Sequence, residues 1–224
     1  MQSALLRKSS NDLVADRAVD RFAGRVADLS TDRTVDRAGD RPPETGIDLG
    51  SRAVSLHFTV RLARTPEQLK KAVAVRSTVY AKRLPTLARV LAEAEHEDLI
   101  RDSIVLLAQS KETQAPIGTM RIVSNRHAPI EFEKEIELPA RFRGKTIAQV
   151  SRLGVTGGRQ GAQVKIALFK ALYRYCLATQ IEWIMATGIP PRDRDYVNLQ
   201  FEDVFPGLGL IPLPSSMGIP ARLM

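Results

Sequence analysis

Residues 147–188 run as an apolar strand pattern, a glycine-rich turn, a long apolar helix pattern and a second short strand pattern. "IAQVSRLGV" (147–155) and "EWIMATG" (182–188) are short and bounded by turn residues, whereas "AQVKIALFKALYRYCLAT" (162–179) keeps helical spacing throughout. Such an alternation of strand and helix calls for a sheet with helices packed on it. The remaining patterns extend the same layout. "LHFTVRLA" (56–63) alternates as a strand, and "TPEQ" (65–68) is a capping box with Pro66 at the first helical position. The helix it opens is expected to run to about Lys82, with Leu69, Ala72, Val73, Val79 and Tyr80 on its apolar stripe and Arg76 inside that stripe. "SIVLLAQS" (103–110) and "IGTMRIVS" (117–124) form a strand pair across the turn "KETQAP". "FEKEIEL" (132–138) is expected as a short exposed helix, "RDRDYVNLQF" (192–201) as a helix and "LGLIPLP" (208–214) as a last, proline-limited strand. The expected fold class is α/β (α+β), a mixed, mostly antiparallel central sheet with helices on both faces.

Residues 1–54 are a different kind of sequence. "DRAVDR" (16–21) recurs within "DRTVDRAGDR" (32–41), a spacing that would stack Asp and Arg down one side of a helix. Few large apolar residues accompany it, so a disordered tail is expected, with a marginal charged helix as the other reading. The folded domain is expected over 55–224. The chain has a formal charge of +8; residues 1–50 hold eight basic and nine acidic side chains, which leaves the rest at +9. A basic body suits an anionic partner: nucleic acid, membrane surface, a phosphate-bearing cofactor or an acidic protein. Aromatic residues are only 5% of the chain, which argues against a single-strand nucleic-acid binder. No apolar run approaches a membrane span, no secretory signal is visible, and the single Cys176 allows no internal disulfide. A soluble cytoplasmic protein is the expectation.

Three arginines stand in apolar settings: Arg76 on a helix face, Arg121 and Arg152 in strands. Strict alternation along 147–155 puts Arg152 on one face with Ala148, Val150 and Gly154, and Leu153 on the other with Gln149 and Ser151. A buried guanidinium needs acceptors for its donors. The nearest supply is "EAEHEDLIRD" (93–102), and Asp98 and Asp102 are the expected partners. Together these residues form either a carboxylate- or phosphate-reading site, or an internal salt-bridge network that only fixes the fold. "TGGRQG" (156–161), between strand and helix, is either a phosphate cradle or simply a turn. His57, His96 and His127 are isolated, so no metal site is expected. Cys176 and Trp183 are expected in the core. The 162–179 and 182–188 segments are apolar nearly all round, which would suit the lining of an apolar tunnel.

"VRSTVY" (75–80), the acid-bearing loop, "GTMRIV" (118–123) and "QVSRLGV" (149–155) stand in an order and spacing that resembles the acyl-homoserine-lactone synthases. They resemble more closely the long-chain N-acyl amino acid synthases; both belong to the GNAT acyltransferase superfamily. The resemblance covers roughly residues 57–214, including "FEDVFPGLGLIPLP" (201–214). Its most specific piece is the pattern Glu-x-Ser-Arg-Phe/Leu, matched by Ser151, Arg152 and Leu153, with Gln149 where the glutamate is usual. The resemblance implies a GNAT fold whose splayed strands admit the phosphopantetheine arm of an acyl thioester. Val155, Gly157, Gly158, Arg159 and Gly161 would meet its phosphate end, although the turn matches the superfamily's phosphate loop only at Gly161. "YVNLQF" (196–201) is similar to the superfamily's Tyr-x-x-x-Gly-Phe helix, which implies Tyr196 as general acid for the leaving thiolate. The activity implied is transfer of a fatty acyl group from acyl carrier protein, or from acyl-coenzyme A, to the α-amine of an amino acid. Arg76, Asp98, Asp102, Arg121, Ser151, Arg152 and Tyr196 would form the catalytic site, with no metal and no permanently bound cofactor. The other readings are a lactone synthase using S-adenosylmethionine, an acetyl-coenzyme A acetyltransferase, and a non-catalytic acyl-ligand or nucleic-acid-binding module.

Overall fold

The computed structural model describes residues 56–158 and 160–224. The expected tail and Arg159 lie outside the described residues. Strand β1 (Phe58–Leu62) leads to helix α1 (Pro66–Ala81) and a short α2 (Pro85–Val90). Strands β2 (Ser103–Ser110) and β3 (Pro116–Ser124) follow, then α3 (Glu131–Glu135) and β4 (Ile147–Val155). Helix α4 (Gly161–Ala178), strand β5 (Trp183–Gly188), α5 (Asp193–Val197), β6 (Ile211–Pro212) and β7 (Pro220–Leu223) complete the chain. Helix α1 starts at its capping box: Thr65 Oγ1 accepts from the Gln68 amide and Gln68 Oε1 accepts from the Thr65 amide, both at 3.2 Å.

The seven strands among the described residues lie in the order β1-β2-β3-β4-β5-β7-β6, antiparallel throughout except for the parallel β4–β5 pair. On one face α4 sets Val164, Leu168, Ala171 and Leu172 against Phe58, Val60, Leu106, Met120, Ile122 and Val150. The approach is close at Gly118, where a Cβ would stand 2.6 Å from Val164 Cγ1. The opposite face is covered in two parts. Ala72 of α1 packs with Val105 and Leu107, while Ile130, Phe132 and Phe142 pack on Val123, Ile147 and Met185. Between these two covers lies a polar strip of sheet, where the arginines sit.

Two departures from regular sheet shape the site. The β4–β5 ladder runs only from Ile147↔Trp183 to Val150↔Ala186. Beyond it β5 turns to β7 (Thr187↔Leu223, Gly188↔Arg222), while β4 stays with β3 to Gly118↔Val155. The two strands therefore diverge into an open V. The second departure is a bulge: β3 and β4 pair at Arg121↔Ser151 and again at Thr119↔Gly154, so Met120 alone opposes Arg152 and Leu153. Arg152 takes a left-handed conformation, φ +54°.

Several local expectations are corrected. Helix α3 buries Phe132 against the sheet, so it is not an exposed helix. The 192–201 helix shortens to Asp193–Val197; the 208–214 strand shrinks to Ile211–Pro212 on the sheet edge, where proline cannot extend the ladder, and it is not the last, because β7 follows and pairs between it and β5. Trp183 opens β5 at the end of the sheet and is 40% exposed, packing edge-on against Phe142 at 4.9 Å. The excess apolar residues of α4 do not line a tunnel. Ile166 and Leu177 are 64% and 79% exposed, because α4 has the sheet on one side only. With Tyr173 and Lys170 they line a shallow outer groove of about 510 Å³.

Candidate active site

The bulge decides which way Arg152 faces. Alternation places it with Ala148 and Val150; in the structure Leu153 and Val155 join those two on the α4 side instead. The extra residue shifts the parity of the strand, so Arg152 falls on the α1 side with Ser151 and Arg121. Gly154 also faces α1, its missing Cβ 3.7 Å from Val75 and Val79.

Arg152 holds Glu95. Its Nε donates to Glu95 Oε2 at 2.7 Å and its Nη2 to Oε1 at 2.6 Å, a two-pronged pair. Left-handed backbone costs a non-glycine residue about 1–2 kcal/mol, whereas one hydrogen bond to a charged group contributes about 1.5–3 kcal/mol. The pair outweighs the strain. Arg121 Nη1 reaches the same Oε2 at 3.1 Å, and its Nε donates to Ser151 Oγ at 3.0 Å. Arg76 Nη1 donates to Asp98 Oδ2 at 2.7 Å, and that oxygen also accepts from the Glu95 amide at 2.9 Å. The single turn His96–Asp98 thus presents both acids to three arginines coming from α1, β3 and β4. The network is not fully paired: Arg76 Nε and Nη2, Arg121 Nη2 and Asp98 Oδ1 are buried and have no hydrogen-bond partner among the described residues.

The charges tune one another. Burial would raise Glu95, but the hydrogen bond and charge of Arg152, with Arg121 and Arg76, overcome it and hold the carboxyl below its usual range. Asp98 behaves alike: burial is outweighed by its bond to Arg76. Burial, then the like charge of Arg152, lowers Arg121. Both carboxylates are depressed in the folded chain, so their stabilising contribution is full above the unfolded values of about 4.5 and 3.8 and is lost as pH falls through the folded ones. The denaturation midpoint should therefore stay level from neutral pH down to the ordinary carboxylate range and fall steeply below it. A midpoint unchanged in strong acid would mean that ionised Glu95 and Asp98 do not hold the arginines.

The structure brings together Arg76, Asp98, Arg121, Ser151 and Arg152. It does not bring Asp102, whose Oδ1 lies 2.5 Å from His127 Nδ1 and whose carbonyl accepts from the Ser124 amide. After Asp98 the chain swings outward through exposed Leu99 and returns at the end of β2, one strand end away from Arg121. Glu95 takes the place expected for Asp102. Two further groups escaped the sequence reading. Tyr80 is near enough to feel all three arginines, and burial, opposed by Arg152 and Arg76, raises its phenol. Glu131, at the start of α3, is bound by Gln149: Gln149 Nε2 donates to Glu131 Oε2 at 2.5 Å, and the Glu131 amide donates to Gln149 Oε1 at 3.1 Å.

At the mouth of the V, α5 sits hard on the end of β5. A Cβ on Gly188 would come within 2.8 Å of Asp193 Cα and 3.4 Å of the Tyr196 ring. Tyr196 is buried between Phe169 and Phe201, at 6.0 and 5.4 Å between ring centres, and burial pushes its phenol well above the usual range. Past Val155, exposed Gly157 and Gly158 lead to Gly161 at the first turn of α4. Gly158 uses φ +110°, and a Cβ on Gly161 would sit 3.3 Å from the Thr156 carbonyl. Among the described residues no side chain caps this helix and no acid lies in its first turn; the Gly161 amide donates to the Gly158 carbonyl at 3.1 Å, which leaves the amides of Ala162 and Gln163 at the positive end of the helix dipole.

No known family profile matches the chain, and no curated protein matches it. Solved structures do. FeeM, an N-acyl amino acid synthase from uncultured soil microbes, superposes with a TM-score of 0.57 at 17% identity, over 74% of this chain and 88% of that one. A predicted acetyltransferase with acetyl-CoA from Clostridium acetobutylicum gives 0.51 at 13% identity, over 68% and 95%. The chain has the GNAT acyltransferase fold. The splayed β4–β5 pair and the helix end beside it form an open cleft in that fold.

Proposed function

We propose that the chain is an N-acyltransferase that moves an acyl group from a phosphopantetheine thioester to the α-amine of an amino acid. The observation that carries this reading is the V between β4 and β5, with an uncapped helix end at its mouth and the arginine strip beside it. Gly157, Gly158, Gly161 and Val155 would receive the phosphate end of the arm, with Arg159 next to them in sequence. Unpaired β4 backbone amides would stabilise the oxyanion, and neutral Tyr196 would protonate the leaving thiolate. Arg152 spends two donors on Glu95, so its outer Nη1 is left for the acceptor's carboxylate. The remaining arginines would fix that geometry from behind.

We further propose that the donor is a cytoplasmic acyl carrier protein. The +9 charge of residues 51–224 suits an acidic carrier. A coenzyme A donor is the second reading, favoured by the outward placement of the α4 apolar residues, which removes one reason to expect a long chain. Thiol release with carrier-bound and coenzyme A thioesters of graded acyl length, at low and high salt, separates the two. Carrier thioesters should turn over faster and lose rate as salt rises. Preference for acetyl-coenzyme A without salt sensitivity would leave a small-molecule acetyltransferase, and no thiol release at all would leave a binding module.

A further inference from the structure

We infer that Glu131 is the general base that takes the proton from the acceptor's ammonium, held in place for that task by Gln149. The inference rests on the amine-acylation reading above. An amine attacks only after losing its proton, and the acids bonded to the arginines are poor recipients. Glu95 and Asp98 are both tied to guanidinium groups, which hold their carboxylates ionised and lower their affinity for a proton. Glu131 differs. Its only side-chain partner among the described residues is the neutral amide of Gln149, which grips Oε2 and leaves Oε1 without a hydrogen bond. Gln149 stands two residues before Ser151 on the same face of β4, so the carboxylate is delivered to the arginine strip from α3.

The surroundings favour a base that can take and return a proton. Burial raises the Glu131 carboxyl, more than the charges of Arg121 and Arg152 and the Gln149 bond lower it; Glu97 adds to the rise. On its own helix, Glu133 is engaged with Asn125 and the Ile130 amide, and Glu135 with Ser215. In the step, Glu131 Oε1 accepts a proton from the ammonium and the freed nitrogen pair bonds to the thioester carbon. The carbon–sulfur bond breaks, the thiolate takes a proton from Tyr196, the second proton of the nitrogen leaves and restores that phenol, and Glu131 returns its own to solvent.

The test compares the full chain with Glu131→Gln and Glu131→Asp, using an amino acid acceptor and aminooxyacetate. Aminooxyacetate keeps the carboxylate, but its nitrogen is already uncharged at neutral pH. Glu131→Gln preserves the shape and can still bond Gln149, and its folding is checked by denaturation. With the amino acid it should lose about 100-fold in rate, and its residual rate should climb with pH where the parent levels off. With aminooxyacetate it should run close to the parent. Glu131→Asp should keep part of the rate with a displaced acid limb. If Glu131→Gln is equally slow with both acceptors, or fully active with both, the base assignment fails while acyl transfer stands. If the parent chain turns over no acyl thioester, the acyl-transfer reading itself fails and the assignment goes with it.

Discussion

A chain carrying Glu95→Ala should lose about 3–5 kcal/mol of folding stability, a large share of the roughly 5–15 kcal/mol that holds a typical domain. Among the described residues Glu95 is the only carboxylate bonded to Arg152 and the only one within 3.5 Å of Arg121. Its removal leaves two largely buried guanidiniums across β3 and β4, with Arg121 keeping only the more distant oxygens of Asp98 and Glu97, at 3.6 and 3.9 Å, and Arg152 without an ion-pair partner among the described residues. Asp98 compensates only in part, because Oδ2 is committed to Arg76 and Oδ1 reaches Arg121 at 3.6 Å but forms no ion pair with Arg152. Chemical denaturation near neutral pH reads the loss. Adding Arg152→Ala to Glu95→Ala should recover part of it, since one of the stranded charges is then gone. A loss below about 1 kcal/mol, the value of a surface pair, would show that the arginines are not held by this acid.

Arg152→Lys should separate stability from activity. Lysine keeps the charge and tolerates the left-handed backbone no worse than arginine, but it has no planar fork for Glu95. One strong hydrogen bond is lost, so stability should drop by about 1.5–3 kcal/mol, which leaves the chain folded. Acyl transfer should fall further, by about 100-fold, because a positioning group displaced by an ångström has that scale of effect. Initial rates of thiol release, set beside the denaturation midpoint, give both numbers. A lysine chain with parental turnover would confine Arg152 to holding the fold.

What could be read ahead of the structure followed from periodicity and caps. The Thr65–Gln68 box, the strand pair 103–124 and the β4-α4-β5 run have signals that lie next to each other in the chain. The face of Arg152 did not, because a bulge shifts the parity of a strand and here its two residues, Arg152 and Leu153, are not glycines, with only Gly154 beside them to mark it. The arginines themselves were legible, since charge in an apolar stripe demands a partner. Their partner was misassigned between Glu95 and Asp102 because both occur in one acidic loop, and only the turn at 96–98 determines which of them points inward. Glu131 gave no signal at all. Its meaning comes from Gln149, eighteen residues later on another element.

The short seam between β4 and β5 also has a mechanical consequence. Four rungs join a plate of four strands, β1 to β4, to a smaller plate made of β5, β7 and β6. Two plates riveted along so short an edge resist sliding poorly near the open end, where no rung ties one lip to the other. A molecule that lodges between the lips acts as an extra rivet, stiffening the far side of the sheet as well as the place it touches.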